Sequence, residues 1–208
     1  MKRLWDISPP LFRGSPVFPG DTPYDQSWTA TLAPGCPVNV SRITTSPHAG
    51  AHADAPLHYD ADGAPIGVVD LAPYLGPCRV VHCVGKRPLI EPGDLARVAA
   101  GMPPRVLVRT FERAPVDRWV DDFCAYAPQT LEWLADRGVV LVGIDTASVD
   151  PAPSKTLEAH QVLRRRDLRV LENLVLDEVP EGDYELIALP LKLVEADASP
   201  VRAVLREL

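Results

Sequence analysis

Alternating apolar and polar positions predict most of the elements in this chain. Leu4 to Ser8 alternates weakly and reads as an opening strand. Residues 27–32 (Ser-Trp-Thr-Ala-Thr-Leu) and 38–45 (Val-Asn-Val-Ser-Arg-Ile-Thr-Thr) alternate with β-branched side chains, and predict an antiparallel pair joined by Ala33-Pro34-Gly35-Cys36-Pro37. Further strands are predicted over 78–84, 105–111, 184–194 and 201–206. Helical signals are fewer. Residues 91–101 predict a short helix, with Asp94 near its start and Gly101 stopping it. A second begins at Thr130 and ends by Gly138, and a third starts near Thr156 and carries His160. Between the last two lies an unbroken apolar run, Val139 to Ile144, the profile of a fully buried strand beside a helix. Another apolar run, 170–176, holds Glu172, a charge that is costly there unless it is paired or metal-bound. Strands and helices interleave without a repeat or a linker. The expectation is one α/β domain over 1–208 with a mixed sheet.

The breaks between elements change this picture in two places. Residues 14–26 are dense in Pro, Gly and Asp, and predict a loop with fixed turns that presents Phe18 and Tyr24 either to a ligand or to the core. Asp145 marks the carboxyl end of the buried strand, where open α/β sheets tend to place ligands, and the loop after it is again Pro-rich.

Composition mostly excludes. A net charge of −7, with no basic block beyond Arg164-Arg165-Arg166, argues against nucleic acid as a partner, and the triplet reads as a solvated helix face. Met1 to Pro10 has no apolar stretch of the signal-peptide kind, and no run approaches the ~20 residues of a membrane span. A cytoplasmic protein is expected. Cys36, Cys78, Cys83 and Cys124 form no C-x-x-C pair and read as inert thiols.

The chemistry is concentrated in His48-Ala-Gly-Ala-His52-Ala-Asp54-Ala-Pro-Leu-His58-Tyr59. Three of the five histidines fall here, with Asp54 among them and mostly small residues between. Imidazole and carboxylate together suit Zn²⁺, Mn²⁺ or Fe²⁺. On an extended backbone residues 52, 54, 56 and 58 share a face, so His52 and Asp54 can grip one ion. Gly50, Pro47 and Pro56 argue against a helix, and a turn at 49–51 would fold His48 back beside His52. His58, redirected by Pro56, is either a fourth ligand or a free imidazole for acid–base work. Asp54 can bridge two ions, and His160 and Glu172 are the best remote candidates for the second. His82, inside a strand, reads as a structural histidine.

The motif His48-x-Gly50-x-His52-x-Asp54-x-Pro56-x-His58 resembles the signature of the cyclase-like metal-dependent hydrolases. Three flanking blocks, Phe18 to Pro23, Gly143 to Asp150 and Leu157-x-Ala159-His160, are similar to the bacterial kynurenine formamidase branch of that family, and the likeness spans nearly the whole chain. It implies a swivelling β/β/α fold and a homodimer. It implies two Zn²⁺ per subunit, with Mn²⁺ as the alternative. One ion would sit on His48, His52 and Asp54, the other on Asp54, His160 and Glu172. His58 would be proton donor and acceptor, and Phe18 would line an aryl pocket. The implied substrate is N-formyl-L-kynurenine, cleaved to L-kynurenine and formate in tryptophan breakdown. Two positions depart from the branch: Ala51 replaces a common Thr, and Phe18 replaces Trp. The rival readings are a related hydrolase opening a cyclic amide such as isatin, and a metal-binding protein without catalysis.

Overall fold

The computed structural model describes residues 2–208. In chain order the strands are β1 (Leu4–Asp6), β2 (Asp25–Ala30), β3 (Val40–Thr44), β4 (His52–Asp54), β5 (Leu75–His82) and β6 (Leu89–Ile90). After helix α1 (Pro92–Leu95) come β7 (Arg105–Arg109) and β8 (Ala125–Tyr126), then helix α2 (Pro128–Ala135) and β9 (Leu141–Ile144). Helix α3 (Glu158–Arg166) is followed by β10 (Arg169–Glu172), β11 (Gly182–Ile187), β12 (Ala198–Pro200) and β13 (Val204–Glu207).

Nine of these strands form one mixed sheet in the order β1-β13-β11-β5-β7-β9-β10-β4-β12. Its middle, β5 to β10, is parallel, and both flanks are antiparallel. The parallel strands carry apolar residues on both faces, as strands covered on both sides must. Cys78, Val80, Leu107, Leu141 and Leu171 face one core, which Ile7, Tyr74 and Leu205 complete. Val81, Val106, Val108, Val142, Ile144 and Val170 face the other, which α2 and α3 cover with Leu131, Leu134, Ala159, Val162 and Leu163. Gly143 sits where β9 passes closest to the first core: an added Cβ would lie 2.5 Å from Leu107.

Side-chain alternation along β4 and β10 positions the polar cluster. Ala53 and Leu171 are partners in the antiparallel ladder and point into the first core. Their neighbours His52, Asp54, Val170 and Glu172 therefore point to the helix face. The register places Glu172 directly opposite His52, and Val170 opposite Asp54.

The strand predicted over 184–194 stops at Ile187, because Pro190 cannot donate to a ladder and the chain turns away. The extended face predicted over residues 52–58 also stops early, at Asp54, and Pro56–His58 forms a 3-10 turn instead. Helix α2 begins two residues before Thr130, with Pro128 in its first turn. Helix α3 begins at Glu158, after Leu157 in a left-handed conformation. Strand β12, three residues long, was too short to stand out as alternation. The β2–β3 hairpin pairs as expected but lies outside the main sheet, with Trp28, Leu32, Val38, Val40 and Ile43 exposed.

Candidate metal centre

The turn expected at residues 49–51 is present. Gly50 has φ +68, a conformation that disfavours side chains, and a Cβ there would also meet Leu11 at 2.9 Å. This turn brings the rings of His48 and His52 to a centroid separation of 5.0 Å.

All five expected ligands converge. His48 Nδ1 lies 3.1 Å from Asp54 Oδ1, and His52 Nε2 lies 3.4 Å from the same oxygen. His160 Nε2 approaches the other oxygen, Oδ2, at 3.5 Å. Glu172 stands between the two sides, its Oε2 3.3 Å from His52 Nε2 and its Oε1 3.8 Å from His160 Nε2. Asp54 thus offers one oxygen to each side of the cluster. Asp54, His52, Glu172 and His160 are all at most 3% exposed.

The ring nitrogens facing away from the centre are held by protein acceptors. His52 Nδ1 donates to the Gly50 carbonyl at 2.8 Å, and His160 Nδ1 donates to Asp150 Oδ2 at 2.6 Å. Each bond leaves the Nε2 lone pair pointing inward, the arrangement metal-ligating histidines adopt. Those inward atoms have no partner of their own: His52 Nε2, His160 Nε2 and both carboxylate oxygens of Asp54 are buried without a hydrogen bond. Buried polar atoms left this way cost free energy. A divalent cation among them satisfies all four at once, so the residues fit one.

The electrostatics carry the same demand. Burial depresses the basicity of His48 and His160, yet the neighbouring carboxylates overcome it: Asp54 and Asp197 hold His48 at about 9, and Asp150 and Asp54 hold His160 at about 10. His52 is raised too, with Glu172 and Asp54 outweighing burial. Asp54 is held well below the usual carboxylate range, against the cost of burial, by His160 and His48. Three buried carboxylates, Asp54, Asp150 and Glu172, require positive charge here.

His58 is more exposed and stands at the mouth of the cluster. Its ring centroid is 4.4 Å from that of His48, and a ring nitrogen lies within 4.8 Å of ligand atoms of Asp54 and His160. Its Nδ1 contacts Asp197 Oδ2 at 3.1 Å. A cavity of about 560 Å³ opens above these groups. Phe18 lines it and meets Trp119 edge to face at 5.2 Å, so the loop residue serves the cavity wall and not the core. Asp145, at the end of β9, also lines the cavity, but Thr110 and Phe111 occupy its carboxylate. His82 is structural, as expected: its Nε2 bonds the Val179 carbonyl at 2.9 Å. The arginine triplet of α3 is solvated and paired with Asp60, Glu132 and Asp136.

Sequence reasoning missed Asp150, Asp197 and Trp119. Asp150 was visible only as part of a motif. Asp197 lies 139 residues from His58 in a loop with no local signal, and β12 places it. Trp119 sits in an irregular stretch between β7 and β8.

The chain belongs to the putative cyclase family, whose profile matches residues 5–151. Over all 208 residues it is 70% identical to the kynurenine formamidase of Bordetella pertussis (strain Tohama I), covering 100% of both chains. Its fold superposes with a TM-score of 0.85 on a predicted metal-dependent hydrolase from Bacillus stearothermophilus, 28% identical and covered 100% in both chains. Isatin hydrolase A from Ralstonia solanacearum shares the fold at a TM-score of 0.85 and 21% identity, over 100% of this chain and 92% of that one. No helix among the described residues is long and apolar enough to cross a membrane.

Proposed function

We propose that this chain hydrolyses N-formyl-L-kynurenine to L-kynurenine and formate. The observation that carries the reading is the set of inward-facing, partnerless atoms of His52, Asp54 and His160, with His58 beside it, at the floor of a cavity walled by Phe18 and Trp119. The 70% identity to a kynurenine formamidase supports the choice of substrate.

His48, His52 and Asp54 would hold one divalent ion, and Asp54, His160 and Glu172 a second, Zn²⁺ or Mn²⁺ by the donor chemistry. When bound, such ions supply water activation at neutral pH and stabilisation of developing negative charge. The remaining work falls to the chain. Phe18 and Trp119, packed edge to face, form an aromatic wall of the cavity against which the aryl ring can lie. Arg118 and Lys155 also line the cavity and offer positive charge to the substrate's α-carboxylate. His58 takes a proton from the attacking water and delivers it to the aniline nitrogen as the C–N bond breaks, because an anilide anion is too poor a leaving group. The products are a neutral aniline and formic acid, which ionises to formate with release of one proton.

A homodimer is part of the same proposal. The exposed apolar residues of the β2–β3 hairpin form the kind of surface a second copy covers. Sedimentation of wild type and Ile43→Asp checks it: a dimer weakened by the substitution is expected, and a monomeric wild type rejects it.

The decisive assay compares N-formyl-L-kynurenine with isatin. Efficient turnover of the formamide, at least ten times better in kcat/KM on the scale where ~1.4 kcal/mol is tenfold, is expected. A preference for isatin would move the chain to cyclic-amide hydrolysis. Bound metal without turnover of either would leave a metal-binding protein.

A further inference from the structure

We propose that Asp197 is a positioning residue: through one carboxylate oxygen it fixes the ring tautomers of His48 and His58, and so turns the Nε2 of His58 towards the scissile bond. The inference rests on the proposed role of His58 as proton carrier.

Asp197 Oδ2 lies 2.9 Å from His48 Nε2 and 3.1 Å from His58 Nδ1. A carboxylate only accepts, so both ring nitrogens must donate. Neutral His48 then carries its proton on Nε2 and its lone pair on Nδ1, the atom facing Asp54 Oδ1 at 3.1 Å. Neutral His58 carries its proton on Nδ1 and its lone pair on Nε2. One oxygen therefore imposes opposite tautomers on two adjacent rings, a ligand tautomer on one and a proton-carrier tautomer on the other. Without it, His58 has no protein acceptor among the described residues to distinguish its nitrogens.

The position of Asp197 is not left to a loose loop. Its carbonyl accepts the Ala55 N–H at 2.8 Å, and the next residue opens β12, which pairs with β4. The ladder that presents His52 and Asp54 thus also presents Asp197. A supporting group fixed to the same element as the ligands it serves holds their geometry tightly.

The test uses metal-loaded wild type, Asp197→Ala, Asp197→Asn, His58→Ala and the Asp197→Ala/His58→Ala double variant. Substrates are N-formyl-L-kynurenine and 4-nitrophenyl formate, whose phenolate leaves without a proton. Metal content is measured throughout. Asp197→Ala is expected to lower kcat for the formamide about 10–100-fold, the usual range for a group supporting a site from behind. Asp197→Asn should recover part of this, because its amide oxygen can still accept from both rings. The ester should lose less than the formamide, since it shares the base step but its phenolate leaves without the acid. The double variant should be no slower than His58→Ala alone. With every variant loaded to the wild-type metal content, additive losses or an equal loss on the ester would each overturn the proposal. Ring ¹⁵N shifts of His58 give a readout independent of turnover: Nδ1–H is expected in wild type, and its loss in Asp197→Ala. If wild type does not cleave the formamide, the function reading fails. The ¹⁵N result then still decides the placement of Asp197.

Discussion

Asp150 and His160 are joined by a 2.6 Å hydrogen bond from Nδ1 to Oδ2, and the same carboxylate also accepts the backbone N–H groups of Ala159 and His160. One buried side chain thus caps the first turn of α3 and fixes the ring that turn carries. The helix needs this help, because Leu157, in the capping position, has a left-handed backbone and makes no side-chain cap. Burial works against ionisation of Asp150, but His160 and the two N–H groups hold it below the usual carboxylate range.

This arrangement predicts the behaviour of Asp150→Ala. The Nε2 of His160 would lose its fixed aim, and affinity for the ion on that side should fall about 10–100-fold. The ion on His48 and His52 should be much less affected. Competition with a chelating dye, read as two separate affinities, checks this. Equal retention of both ions would contradict it.

His58→Ala makes the complementary case. If the imidazole moves protons and does not hold an ion, kcat should drop by about 10²–10⁴-fold while metal content stays at the wild-type value. Elemental analysis beside steady-state kinetics separates the roles. A variant that loses an ion would show His58 to be a ligand.

Metal binding should also stabilise the fold. His52 Nε2, His160 Nε2 and the Asp54 oxygens are buried without partners. An ion that binds only the folded chain adds about 2.7 kcal/mol at a free concentration of 100 Kd. Thermal unfolding with and without Zn²⁺ should show a higher Tm with the ion, and the shift should vanish in Asp54→Ala. An unchanged Tm in wild type would count against the centre.

Asp145 yields a pH effect apart from the cluster. Burial pushes its carboxyl up to about 6 from 3.8, although the Phe111 and Thr110 N–H groups and the Thr110 hydroxyl pull the other way. A raised carboxyl contributes stability that is complete below the unfolded value and is lost as pH rises through the folded one. The window is therefore about pH 4 to 6. Asp145→Asn can accept from both N–H groups and donate to Thr110, without titrating. Relative to it, wild type should lose on the order of 2–3 kcal/mol between pH 4 and 7. Urea midpoints of the two proteins across that range test this, and a constant difference would contradict it.

Much of this was legible in the sequence because the signals were local. The spacing of His48, His52, Asp54 and His58 lies within one stretch, and a Gly50 turn between two histidines can be read from residue types alone. The apolar run before Asp145 announced a central strand, and Glu172 was marked as a charge among apolar neighbours. What sequence could not supply was register. Glu172 reaches His52 because β10 pairs antiparallel with β4 in one alignment, and a slip of one residue would turn it into the opposite core. Asp197 depends on the equally unreadable pairing of β12 with β4. The end of β11 at Ile187 was misplaced for a different reason: apolar residues 189–194 continue the pattern, but Pro190 removes a ladder donor and several of them are exposed.

On the proposed function, His48, His52, Asp54, His160 and Glu172 hold two divalent ions that the reaction needs. Titration of chelator-stripped protein with Zn²⁺ or Mn²⁺, with turnover of N-formyl-L-kynurenine followed, tests this most directly. Negligible activity is expected in the stripped protein, with a rise that saturates at about two equivalents per chain, the stoichiometry a shared carboxylate permits. Full activity in protein shown by elemental analysis to be free of metal would contradict it.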